Sequence, residues 1–240
     1  TRHKFDICPA ITQEVLIFTF KEDARIVEAY IGEYASGKSE MAINRALELS
    51  RQGRQVTLVD LDTVEPFYTL RPIKHQLEKM NLNIISQSRE DSFGLGETGS
   101  MLNPRARWAL RNKGDIILDI GYGVFGARTL NLVEDVDQTP ELKVIAVLNA
   151  SRPMTNSLDR ILEYVGGLGR VDGIVANTHM GDETTPEIIN AGNEIIAEAA
   201  RILQLPVIYT AVVEGLKDSK INGFGMPIKY IKRYMPSAIW

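Results

Sequence analysis

One segment constrains this chain more than any other: Gly32, Glu33, Tyr34, Ala35, Ser36, Gly37, Lys38 and Ser39 match the pattern G-x-x-x-x-G-K-[ST] in full. Residues 25–31 before it are rich in β-formers. Residues 39–51 after it place Ile43, Ala46, Leu47 and Ser50 on one helical stripe. The pattern carries meaning only in that strand–loop–helix setting. There the glycines let the loop turn tightly, so that successive backbone N–H groups converge on an anion. The partial positive charge of the helix N-terminus adds to them. Such a loop binds phosphate and requires a central strand to carry it. A purely helical or purely antiparallel fold is therefore excluded.

The rest of the chain agrees. Beyond residue 20, strand-like and helix-like runs alternate, which predicts a three-layer α/β fold with a mostly parallel central sheet. Strands are expected at 55–61, 83–86, 115–120, 143–149, 172–177 and 206–213. Runs 15–20 and 25–31, separated by the polar 21–24, read as an N-terminal β-hairpin. Helices are expected from Pro72, from Asn103 and Pro104 to Gly114, over 153–165 and over 186–204, with Gly53 closing the first helix. No internal repeat or long linker divides the 240 residues, so a single domain over 1–240 is expected.

Composition narrows the function classes. The net charge of −4 gives no electrostatic reason to expect nucleic acid as the main partner. A lone cysteine, Cys8, forms no intramolecular disulfide and suits a reducing compartment. No apolar run approaches the length of a membrane span, and no signal-peptide pattern opens the chain. A soluble, cytoplasmic protein is the expectation. His3, His75 and His179 are too scattered to suggest a metal site.

A phosphate-binding loop needs a carboxylate to hold the Mg²⁺ shell, normally at the end of a neighbouring apolar strand. Asp119 ends the run from Asp115 and is followed by Gly121 and Gly123, which permit a close turn around ligand. It is assigned to Mg²⁺, with Ser39 as the hydroxyl ligand and Lys38 facing the β- and γ-phosphates. Asp60 and Asp62 follow a second strand and fall on the same side of it by alternation. Asp62 is the candidate to orient attacking water or to touch the metal shell. Asp60 is its support or a plain strand-end residue.

With these residues in view, the chain resembles the MinD/ParA-like (SIMIBI-class) P-loop NTPases, the CobQ/CobB/MinD/ParA nucleotide-binding group. The carriers are loop 32–39, the D-x-D of Asp60 and Asp62, Asp119 with its glycines, Asn177 ending a late strand, and the run 205–214. The resemblance spans roughly 25–215. It implies Lys38 and Asp62 as catalytic residues, and Ser39, Asp62 and Asp119 around the metal. It also implies that Gly32, Glu33, Tyr34, Ala35, Ser36, Gly37, Lys38, Ser39, Glu40 and Asn177 hold ATP with Mg²⁺. Asn177 would reach the adenine amino group. Met180 stands where a guanine-reading aspartate would be, although Asp182 lies close by. Glu33 replaces the group's second lysine, which reaches a partner subunit's phosphate.

The implied function is an ATPase that acts as a nucleotide-driven switch on an unidentified protein partner, with a homodimer as one arrangement. The alternative is an ATP-dependent ligase or kinase acting on a small anionic substrate. It is prompted by the glycine- and arginine-rich stretch 89–111, with Arg105, Arg107 and Arg111. Gly94, Gly96 and Gly99 spell G-x-G-x-x-G, but no strand leads into them, so a loop responsive to the γ-phosphate or to a second substrate is expected there. Asn149 is a turn residue or lies near that second substrate. The basic and aromatic tail 229–236 is expected to pack across the domain.

Overall fold

The computed structural model describes residues 24–62, 70–87 and 102–235. Their eight strands are β1 (Val27–Gly32), β2 (Val56–Leu61), β3 (Asn83–Ile85), β4 (Asp115–Ile120), β5 (Leu142–Leu148), β6 (Gly173–Ala176), β7 (Val207–Val213) and β8 (Ile228–Ile231). They form one sheet in the order β3-β2-β4-β1-β5-β6-β7-β8, and every pairing between neighbours is parallel. The α-helices are α1 (Lys38–Arg51), α2 (Lys74–Glu78), α3 (Gly123–Ala127), α4 (Leu158–Gly167) and α5 (Pro186–Leu203).

A parallel sheet survives only with both faces covered, and its strands then read as unbroken apolar runs. That is the arrangement here. Val27, Ala29 and Ile31 of β1 point into one core with Ile161 of α4 and Ile196 of α5. Tyr30 points the opposite way, into a second core with Met41, Ile43 and Leu47 of α1. The same alternation sends Ile116, Leu118 and Ile120 of β4 to the first core and Ile117 to the second. Asp119 therefore faces α1, and so does Asp60, which shares a face of β2 with Leu58 of the α1-side core.

Several boundaries move. The helix expected over 153–165 begins at Leu158, because Ser157 caps it by accepting from the Arg160 N–H. Residues 150–156 are loop. The segment after Asn103 is capped as expected, its side chain accepting from the Arg105 N–H, but it winds as a 3₁₀ helix over Pro104–Arg111. The tail contributes β8, a strand the alternation pattern did not announce. The first arm of the expected hairpin, 15–20, lies outside the described residues, as does the 88–101 part of the glycine-rich stretch. Neighbours β4 and β5 occupy both edges of β1.

Candidate phosphate-binding site

The loop closes as its sequence demands. Gly37, just before α1, has φ of +90°, and Ala35 also has positive φ, at 53°. A Cβ at Gly37 would overlap the Asn177 side-chain amide, and one at Gly32 would collide with the Val147 carbonyl and the Ser36 hydroxyl. Glycine is therefore required twice, once for the turn and once for close approach. Lys38 is buried, and its Nζ donates to the Glu33 carbonyl at 3.2 Å, which holds the ammonium against the loop. Burial lowers its pKa, while Asp119, Asp62 and Glu33 pull in the opposite direction.

The acidic flank follows from strand register. Asp60 and Asp119 are direct neighbours across β2 and β4, and both are fully buried on the α1 side. Asp60 is already committed. Its two oxygens accept from Arg71 Nε at 2.7 Å and from the Asp62 N–H at 3.0 Å, while Arg71 also donates to the Asp62 carbonyl. Asp60 is thus the support for Asp62 rather than a group turned toward ligand. Asp119 differs, since neither of its oxygens accepts a hydrogen bond of proper geometry. Burial above all, then the Asp60 charge, pushes its pKa up to about 8, with Asp62 adding to the rise. The nearby Ser39 hydroxyl and Lys38 ammonium oppose it.

Buried orphan polar atoms are rare, and each calls for a reason. Such groups around this loop include the Asp119 carboxylate and the Ser36 hydroxyl. Both fit a magnesium polyphosphate, which brings a cation for the carboxylate and acceptor oxygens for the hydroxyl. Among the described residues no cluster of three His, Cys, Asp or Glu side chains is assembled to hold a metal. A phosphate-associated Mg²⁺ needs none, because waters and phosphate oxygens fill most of its octahedron.

Glu33 is turned inward. Its oxygens accept from the Met154 N–H and from the Thr155 hydroxyl, each at 3.0 Å, which ties the loop to the segment after β5. Tyr34 is exposed and meets Tyr122 edge-on at 5.4 Å. Asn177 donates from Nδ2 to the Ser36 carbonyl at 2.8 Å. Beside it opens a shallow cleft lined by Gly37, Met41, His179, Ile189, Ala211 and Arg233 among others. Glu40 also lines this cleft, but its carboxylate is taken by the N–H groups of Tyr234 and Met235. Asp182 is ion-paired with Arg233. Arg107 and Arg111 pair on the surface with Glu134 and Asp135.

Sequence reading missed Arg71, the tether from Glu33 to Thr155, and the tail wall at Glu40. Only Arg71 left a trace, as a cation soon after the D-x-D. The tether and the tail wall join residues more than a hundred positions apart and have no local signature.

No protein-family profile matches the chain, and no curated protein is similar to it in sequence. Solved structures are similar in shape. The cell division protein FtsY of Thermotoga maritima aligns with a TM-score of 0.53 at 17% identity, over 80% of this chain and 63% of that one. The signal recognition particle receptor FtsY of Elizabethkingia anophelis, in complex with GDP, gives 0.57 at 18%, over 88% and 64%. Chloroplast FtsY of Physcomitrella patens gives 0.55 at 18%, over 87% and 64%. The chain has the α/β P-loop NTPase fold. It spans less than two thirds of the length of each of these proteins, and at such identities the likeness is one of fold. Among the described residues no helix is long and apolar enough to cross a membrane.

Proposed function

We propose that the chain is a magnesium-dependent nucleotide switch of MinD/ParA-like type, which binds and hydrolyses ATP and alters its grip on a partner protein with nucleotide state. The observation that carries this reading is the buried Asp119 carboxylate, unbonded beside a closed P-loop whose lysine is already directed inward. In the proposed roles, the loop amides and Lys38 stabilise charge on the terminal phosphate. Ser39 and Asp119 would hold the cation. Asp62, braced by Asp60 and Arg71, orients the attacking water. Magnesium, when bound, supplies charge neutralisation at the phosphoryl oxygens.

The adenine reading rests on the cleft beside Asn177. Met180 is exposed where a guanine-reading acid would stand, and Arg233 occupies Asp182. GTP is the second reading, favoured by the GDP complex of a protein with the same fold. The metabolite kinase or ligase has lost part of its motive, since Arg107 and Arg111 are held by surface acids.

Calorimetric titration with magnesium ATP and magnesium GTP tests the proposal. Lys38→Ala is expected to weaken the preferred nucleotide by about 10- to 100-fold, the scale of a lost charged hydrogen bond. Unchanged affinity and turnover in that variant would remove the reading.

A further inference from the structure

Opposite the acidic flank, on the β5 side of the loop, stands a cation that the assigned roles do not use. Arg152 lies four residues beyond β5, within electrostatic reach of Glu33 and Tyr34 of the P-loop and of His179. Its Nε is buried without a hydrogen-bond partner, and the guanidinium forms no ion pair among the described residues. Glu33 does not supply one, because its oxygens are engaged with Met154 and Thr155. Many other arginines here are matched: Arg45 with Glu28, Arg54 with Asp115, Arg71 with Asp60, Arg170 with Asp172.

The segment that carries Arg152 is braced at three points. Asn149 accepts from the Ser151 and His179 N–H groups and donates to the His179 carbonyl at 3.0 Å. The Thr155 hydroxyl stands between the Glu33 carboxylate and the Asn149 carbonyl, its single proton serving one at a time. The Met154 N–H is held by Glu33. A guanidinium kept partly desolvated on a fixed loop, with donors unspent, is preorganised for an anion and loses little freedom on binding it.

We propose that Arg152 is an anion-binding residue of this site, donating to the terminal phosphate of a bound nucleoside triphosphate, and that Glu33 tethers the loop that presents it. This rests on the nucleotide reading above. It gives the residue at the second loop position a purpose: the carboxylate that replaces a lysine there fixes a different cation to the same rim.

The test compares triphosphate with diphosphate. Magnesium complexes of AMPPNP and ADP, and of GMPPNP and GDP, are titrated into wild type, Arg152→Ala, Arg152→Lys and Glu33→Ala, with melting temperatures taken in parallel. Arg152→Ala is expected to lose about 10- to 100-fold in affinity for the triphosphate analogue and to hold diphosphate affinity within about threefold. Arg152→Lys restores part of the loss, and Glu33→Ala shows the same selective loss with the arginine still present. If Arg152→Ala melts early, the folded Arg152→Lys protein carries the comparison, with a smaller selective loss expected and none overturning the idea. Equal losses for both nucleotides, or a wild-type ratio in Arg152→Ala, overturn it and leave the nucleotide reading standing. Wild type that binds neither nucleotide removes that reading itself.

Discussion

Single residues here show how burial edits chemistry. His179 lines the cleft, and its Nδ1 accepts from the Gly181 N–H at 3.3 Å, a bond that requires an unprotonated nitrogen. Burial first, then the charges of Arg152 and Arg233, hold its pKa down to about 4 from the usual 6.5. The unfolded chain takes up this proton near 6.5 and the folded chain only near 4. The contribution to stability is therefore complete above 6.5 and is lost as pH falls toward 4. Melting temperatures measured across that window are expected to fall less steeply for His179→Gln than for wild type. Equal slopes would mean that the ring titrates freely. Asp119 shows the opposite shift, with its pKa raised by burial beside a second carboxylate.

At the scale of elements, the parallel pairing of β2 with β4 sets two buried aspartates side by side, and a nearby cation has to answer for it. Arg71 does so. Its side chain is 8% exposed and that of Asp60 is 0% exposed, and the pair also fixes the Asp62 backbone. Removing one partner leaves an uncompensated buried charge. Arg71→Ala is therefore expected to cost about 3–5 kcal/mol in urea unfolding, and to lower turnover through Asp62. Adding Asp60→Asn is expected to recover part of the stability without the activity. If the double variant is no more stable than Arg71→Ala, the two residues are not coupled. The tail is a second instance. Glu40 at the start of α1 accepts two tail amides, and Asn44 exchanges hydrogen bonds with Lys232, so the last described residues form a wall of the cleft.

Across the whole molecule, the strand order brings loops from β1, β2, β4, β5 and β6 to one end of the sheet, where open α/β folds bind ligand. A ligand gathering that many segments stabilises the folded state by mass action, about 2.7 kcal/mol at a hundred times its dissociation constant. Magnesium ATP is expected to raise the melting temperature. EDTA is expected to cancel much of that gain, because in the proposed roles the Asp119 carboxylate would then face the phosphates with no cation between them. A rise that ignores EDTA would take Asp119 out of the metal shell.

The sequence by itself determined the phosphate loop, the parallel α/β layering and the two acidic strand ends. Each of these is a local pattern, written within a single strand–loop–helix or a single apolar run. The tight turn at Gly37 was legible because it is set by residues only a few positions away. The tertiary structure alone decided what Asp60, Glu33, Glu40 and Arg152 do. It turned Asp60 to Arg71, Glu33 to Thr155, Glu40 to the tail amides, and left the Arg152 Nε without a hydrogen-bond partner among the described residues. The physical reason is that a charged side chain takes its meaning from its partner and its depth. Here those are set by β4 and β5 closing on either side of β1, a pairing between strands far apart in the chain.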